Sequence, residues 1–490
     1  MSGSGSGSRR RLELVVKNRL ASYLIWQSMH SSIIFICLLS ICSPHYPFGA
    51  FILLSSSQLL FSAALSFMAS PHPNLHRRIS LSLSLSLLFA PAAALSLSSL
   101  SPRLGFRGFL LGSLFAFHYV FNRRWLLRFP IIQRSPFFSF KMGLPSAAAR
   151  AFKLSIVAFV FSGIFFHLVP LPFNSSPPTT SFFSDQITSF AATFALFLSW
   201  EFSHHLHSVL HTKRSIFAPP KGSAAAETNP SEHLLSALED TNPTSLLRYL
   251  AYLDLCMVCE NNVDNWRRAG FFEETGETYK RVIAVCLKPL EHLATKLGDG
   301  LGNSVDKATQ LSNQLLPPTE ARPDLKNVEE LHNFQLYAWC SRTVASLTAC
   351  SRKEDKFGVA QLSGSNVAVV STLLSCLLAV ENFMGKKTNL QSPNQMLGPA
   401  GIKWATVNSG RVDVAAGKRR SGPVNSKAYA IADVLKTSIY QIVSAFQDEM
   451  LAGAKASLLD KDWVTSGKPL FGTREMLTQK LRLFLDFRAT

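Results

Sequence analysis

Acidic residues are nearly missing from positions 1–220, where Glu13, Asp185 and Glu201 stand against 18 Lys and Arg. Positions 221–490 hold 28 Asp and Glu against 31 Lys and Arg, so the first part carries +15 of the formal +18 charge. A near-neutral second part excludes a whole-chain nucleic-acid binder, which would spread cationic charge over its globular surface. Dense cysteine spacing is also missing. Eight cysteines in 490 residues exclude a disulfide-stapled secreted scaffold. The Cys256-x-x-Cys259 pair has no second pair at zinc-ribbon spacing and reads as two buried thiols. Gly298-Asp299-Gly300-Leu301-Gly302 lacks the Gly-Lys-Ser/Thr ending of a phosphate loop and reads as a helix stop. No nucleophile, base and orienting group can be assembled, so no catalytic residue and no cofactor are expected.

What is present is a set of long uncharged runs. A helix needs about 18 or more apolar residues to cross the hydrocarbon core. Six stretches meet or approach that: 20–42, 48–69, 79–100, 104–121, 152–170 and 182–200. The third contains a Leu-Ser alternation over 81–86, whose period of two is strand-like. A backbone in lipid must bond itself, so the segment reads either as a helix or as an interfacial, re-entrant stretch. Ahead of the spans, 1–19 reads as a basic flexible tail, and the basic start running straight into a full span excludes a cleaved signal peptide.

Loop charges orient the spans. With six crossings, 16 Lys and Arg fall on one side and only Arg103 and Arg107 on the other. Positive residues stay cytosolic, which places both termini there. Tyr23, Trp26, Tyr46, Tyr119, Trp125 and Trp200 fall near the proposed interfaces. Asn174-Ser175-Ser176 is the one Asn-x-Ser/Thr tripeptide whose middle residue is not Pro, and it falls in a loop expected to be lumenal, as a possible glycosylation site. No acid sits mid-span and no pair of broken spans recurs in matching halves, which disfavours a coupled transporter.

One constellation resembles chemistry. After Glu201 on a continuing helix, His204, His207 and His211 share a face and are weak metal candidates. A metal site needs three or four converging ligands and no second histidine group exists, so an interfacial helix end is the favoured reading. A membrane-bound, metal-dependent lipid-modifying enzyme and a small-solute channel are carried as alternatives.

Residues 201–230 read as a juxtamembrane linker, and 231–490 as a helical domain with helices near 277–297, 327–350, 366–384, 425–459 and 474–487. The apolar core 367–380 suits a buried bundle helix better than a seventh span. Segments 300–325 and 386–427, the latter holding Lys418-Arg419-Arg420, read as mobile linkers. The last helix bears a stripe of Leu477, Leu481, Phe484 and Leu485, suited to core packing or, on the other reading, to a membrane or partner. The fold class is therefore all-α, a six-helix polytopic membrane domain followed by a helical bundle or short solenoid.

Two stretches carry a resemblance. Ser245-Leu-Leu-Arg-Tyr-Leu-Ala-Tyr-Leu-Asp-Leu255 followed by Arg267-Arg268, and Lys353-Glu-Asp-Lys-Phe-Gly-Val-Ala-Gln361, resemble signatures of the nuclear-division-cycle type transmembrane nucleoporins. The Ser/Pro- and Phe-rich style resembles plant members. The resemblance implies a structural, non-catalytic anchor of the nuclear pore complex in the pore membrane of the nuclear envelope and in the ER. It implies as partners the lipid bilayer, scaffold nucleoporins including an aladin-like WD-repeat protein, and a second copy of the chain in the pore ring, with no direct nucleic acid. It marks Leu247, Leu250, Ala251, Asp254, Leu255, Arg267, Arg268, Asp355, Phe357, Gly358 and Gln361 as signature or partner-contact candidates.

Overall fold

The computed structural model describes residues 4–42, 48–72, 84, 87–99, 102–168, 179–220, 222–240, 242, 244–310, 331–389, 423–456 and 458–489. Among these residues the regular elements are all helical, with a single isolated bridge between Ser70 and Leu126. The all-α expectation holds. Five described segments are long and apolar enough to cross a membrane by length and composition: Glu13–Cys37, Gly49–Met68, Leu104–Phe121, Pro136–Phe165 and Ser365–Gly385. The chain packs as two units, Met1–Phe217 with Glu239–Ala251, and Ala218–Leu238 with Tyr252–Thr490.

The first unit contains α1 (Ser4–Cys42), α2 (Phe48–Met68), α3 (Phe89–Ser98), α4 (Pro102–Phe121), α5 (Pro136–Leu168) and α6 (Thr179–Thr212). Helix α6 is its hub and packs against the other five. The reason lies in its side chains. Trp200 stacks on Phe61 of α2 with ring centroids 4.4 Å apart, and meets Phe115 of α4 edge-on at 5.0 Å and Phe89 of α3 at 5.7 Å. These rings are fully buried. Such pairs add about 0.5–1.5 kcal/mol each beyond area burial.

A polar seam runs through the same helices. Gln27 donates to Ser31 (3.1 Å), which shares a hydrogen bond with Ser199 of α6 (3.0 Å). Ser199 donates to Gln58 of α2 (3.4 Å), and Gln58 donates to Ser96 of α3 (3.1 Å). Interhelical bonds of this kind average about 0.6 kcal/mol in membrane proteins, so the seam sets register while ring packing supplies most of the cohesion.

Helices α3 and α4 form the tightest pair, and glycine is the cause. A Cβ on Gly108 would run into the Ala93 carbonyl, and one on Gly112 into the Phe89 carbonyl. Gly108-x-x-x-Gly112 is thus a small-residue face that admits a neighbouring backbone.

Several boundaries differ from the sequence reading. Helix α1 starts at Ser4, so the segment expected as a flexible tail over 1–19 is helical from that point. No proline interrupts it, and extending a formed helix adds one bond per residue fixed. Helix α5 begins 16 residues ahead of the expected 152, at Pro136, the first helical residue and one whose missing N–H costs nothing there. Helix α6 continues 12 residues beyond 200. In the third expected span, the described helix covers ten residues, about 15 Å of rise. The Leu-Ser repeat lies outside the described residues apart from Ser84, and Asn174 lies outside them altogether.

The second unit holds α7 (Ala224–Thr228), α8 (Glu232–Leu238), most of α9 (Leu246–Glu260), α10 (Asn265–Ala269), α11 (Glu277–Gln310), α12 (Phe334–Glu354), α13 (Val359–Leu362), α14 (Ser365–Asn389), α15 (Pro423–Ala445), α16 (Gln447–Lys455), α17 (Leu459–Trp463) and α18 (Arg474–Ala489). Helices α11, α12, α14 and α15 pack against one another. The apolar segment Ser365–Gly385 is 61% buried, against 22–44% for the four in the first unit, and fills the middle of this bundle. Leu477, Leu481 and Leu485 of α18 are buried, and that helix packs on α14 and α15. Helix α11 runs through Gly298-Asp299-Gly300 to Gln310, so the glycines expected to stop it, at the start of the 300–325 linker, do not. Residues 311–325 and 390–422 of the two expected linkers lie outside the described residues.

Gly112→Leu should lower the stability of the detergent-purified chain by about 2 kcal/mol or more. Gly163→Ala on α5, where an added Cβ meets nothing within 4 Å, should leave the thermal midpoint unchanged or slightly raised.

Candidate functional site at the end of the central helix

Helix α6 carries its only acid past the apolar run, and the fold closes over it. Glu201 has no exposed side-chain surface. Arg124, from the turn after α4, grips it with both arms of the guanidinium, Nη2 donating to Oε2 at 2.7 Å. Arg150 of α5 adds a second bond, Nε to Oε2 at 3.1 Å. The turn that delivers Arg124 has Arg123 at φ +50°, a left-handed conformation that non-glycine residues seldom adopt. His204, one turn on, accepts from Arg124 Nη2 at Nδ1 (3.2 Å) and donates from Nε2 to the Arg124 carbonyl (3.0 Å). One arginine is thereby held by a carboxylate and an imidazole together.

The other histidines meet different neighbours. His205 donates to the Phe140 carbonyl at 3.2 Å and lies flat against the Phe140 ring. Gly143 makes room for it, since a Cβ there would strike the imidazole. His207 and His211 stack on each other at 3.9 Å, and Tyr23 of α1 meets both edge-on. Arg19 closes the end of α6, donating to the carbonyls of Leu210 (2.7 Å), His211 (3.1 Å) and Lys213 (2.6 Å). A cation on those last, otherwise unbonded, carbonyls is a favourable helix cap. The shared face expected for His204, His207 and His211 is therefore divided between Arg124 and Tyr23. No group of three or more His, Cys, Asp or Glu side chains that could hold a metal ion occurs among the described residues.

The signature residues of the second unit are mostly interior. Asp254 is fully buried and takes a two-armed bond from Arg267, the shorter at 2.7 Å. Arg268 pairs with Glu354 and also donates to the Cys259 carbonyl (3.0 Å) and to Asn262 (3.1 Å). The acidic partners of these two arginines are thus within their own unit. Leu255 is buried too, and of the signature residues that fall in the first unit Leu250 and Ala251 are buried and Leu247 half-buried. Asp355 accepts from the backbone N–H of Ala360 at 2.8 Å, holding the short helix α13. Gly358, at φ +66°, occupies a left-handed position there that favours glycine. Phe357 and Gln361 face solvent. Burial pushes the Cys256 and Cys259 thiols well above the ordinary range, as for structural cysteines.

Sequence reading placed Glu201 beside the histidines but missed its arginines, which lie 77 and 51 residues earlier. The available signal was that Glu201 directly follows an apolar run in a part of the chain rich in Arg and nearly free of acids.

Two expectations follow. Arg267→Met should destabilise the second unit by about 3–5 kcal/mol, because Asp254 is left charged and buried. Asp254→Leu combined with Arg267→Met should recover most of that loss in thermal melts of the full chain. The second concerns pH. Burial first, then the adjacent Arg124 charge, hold the His204 imidazole down to about 4, and burial holds His211 at about 4. In the unfolded chain both titrate near 6.5, so between about 6.5 and 4 the unfolded state takes up protons that the folded state refuses. Stability should be full above that window and fall as the pH drops through it. Thermal midpoints against pH check this, with a shallower fall in His204→Gln.

A comparison with curated proteins finds no match. The model of a protein family described as Nucleoporin protein Ndc1-Nup matches residues 103–333 and 324–451, a range that takes in Phe115 and Trp200 of the aromatic hub, the Glu201 network and the Asp254–Arg267 pair. The chain belongs to the Ndc1-Nup nucleoporin family.

Proposed function

We propose that the chain is a multi-pass anchor of the nuclear pore complex in the pore membrane of the nuclear envelope. Its second helical unit holds scaffold nucleoporins, an aladin-like WD-repeat protein among them, and helps pores assemble. The observation that carries this reading is the extent of the family match, which runs from the apolar α4 through the bundle that ends near α15. Surface chemistry supports the division of labour. Ile25, Ile33 and Ile36 of α1, Phe51 and Ile52 of α2, and Phe109 and Phe117 of α4 are exposed on the first unit, a girdle suited to lipid. In the second unit Asp254, Arg267 and Arg268 are spent on internal ion pairs, which suits a rigid holder.

No chemistry is needed for this role. The residues closest to a catalytic set, Glu201 and His204, are engaged by Arg124, and His207 and His211 are stacked on each other. The lipid-enzyme and channel readings therefore draw no support from the geometry. Loop charge, 16 against 2, favours both termini on the cytosolic, pore-facing side. The same chain would also populate the ER membrane, which is continuous with the nuclear envelope, and copies of it would neighbour one another around the pore ring.

A C-terminally tagged chain should co-localise with a scaffold nucleoporin in punctate nuclear-rim signal, with the tag open to protease in plasma-membrane-permeabilised cells. A uniform ER pattern sinks the anchor reading, and a protected tag sinks the six-span orientation.

A further inference from the structure

Beside the Glu201 network lies a cavity of about 300 Å³, walled by the end of α4, the turn that follows it, α5 and α6. Four guanidinium groups line it, from Arg123, Arg124, Arg128 and Arg150, with no carboxylate among its described lining residues. Glu201 offsets part of this charge from behind, through Arg124 and Arg150. One negative charge against four leaves the wall strongly cationic.

Two further lining residues carry buried polar atoms without a partner, and one of them, Trp125, lacks an acceptor. Trp125 is 1% exposed and His207 is 3% exposed, and neither Trp125 Nε1 nor His207 Nε2 has a hydrogen-bond partner. Leaving such a group buried and unbonded costs about 1–3 kcal/mol. An indole N–H can only donate. A cavity with room for roughly ten waters, lined by cations and backed by the buried, unbonded Trp125 N–H, suits an anion rich in acceptors.

Its position narrows the anion. The expected spans of α4 and α6 end at 121 and 200, and the lining residues on these two segments fall at or just past those ends, at 119–128 and 204–208. That is headgroup depth, on the side that loop charge marks as cytosolic. Basic pockets between spans on that side suit anionic headgroups, and arginine forks match phosphate oxygens in pairs. We propose that this cavity binds the phosphate monoester headgroup of an anionic membrane lipid. The inference rests on the placement of the first unit in a bilayer and not on pore targeting, so failure of the rim-localisation experiment would leave it standing.

The test uses the full chain in phosphatidylcholine nanodiscs, with and without phosphatidic acid, read by native mass spectrometry and thermal melting. Wild type should retain phosphatidic acid in preference to phosphatidylcholine and melt higher with it. Arg123→Gln with Arg128→Gln, both exposed, should weaken retention at least about tenfold, since two charge-assisted contacts are lost. Its midpoint in pure phosphatidylcholine should equal the wild-type value, which separates lost binding from lost folding. Trp125→Phe keeps the ring, removes the N–H and should weaken retention several-fold. Inorganic phosphate added to phosphatidylcholine nanodiscs distinguishes the source. If it raises the wild-type midpoint as far as phosphatidic acid does, the site is a free-phosphate site and the lipid assignment fails. Equal retention of the two lipids by wild type, or retention of phosphatidic acid unchanged by both variants, overturns the proposal.

Discussion

Glu201 has no exposed side-chain surface, yet it sits one residue past an apolar run of membrane length. A carboxylate taken out of water there is costly by several kcal/mol unless it is paired and its lone pairs are filled. Meeting that condition needs cations from elsewhere in the chain. Arg124 must arrive from the turn after α4 and Arg150 from α5, so α4, α5 and α6 are obliged to converge at one end. Trp200, the preceding residue, does the complementary work inside the apolar layer, where its ring meets Phe61, Phe89 and Phe115 from three other helices. The two adjacent side chains make α6 the hub.

The second unit repeats the device in a different setting. Asp254 is buried among Leu and Tyr residues of α9, and Arg267 satisfies it from the short helix α10. Arg268, the next residue, reaches the opposite way to Glu354 at the end of α12. Consecutive arginines thus tie α10 to two helices at once, and the chain segment between α9 and α11 is held by both. Because replacing one member leaves the other buried and charged, such pairs resist piecemeal substitution. This gives a physical reason for a recognisable signature at positions that touch no solvent.

The six apolar stretches were readable because hydrocarbon imposes a length and forbids charge, a constraint written locally in composition. Five of the six coincide with described helices over most of their expected length: 20–42, 48–69, 104–121, 152–170 and 182–200. Helix ends were less legible. Helices α5 and α6 extend 16 and 12 residues outside the expected limits, into polar segments whose helicity depends on partners such as Arg19, Arg124 and Phe140. The Gly108-x-x-x-Gly112 face could have been read locally, but its use against Phe89 and Ala93 required knowing which helix lies opposite.

Sequence alone determined what the bilayer and the backbone enforce one residue at a time: all-α structure, apolar spans and a family signature. Tertiary structure decided which charges pair. The interval of 77 residues between Arg124 and Glu201, or 86 between Arg268 and Glu354, leaves no local trace, because loop closure over such distances is set by the packing of everything between. It also decided the fate of the histidines. On one helix face His204, His207 and His211 look like a ligand set, but burial and two different neighbours, Arg124 and Tyr23, divide them into structural contacts. Local spacing fixes only where a side chain leaves its own helix, and what it meets there belongs to the fold.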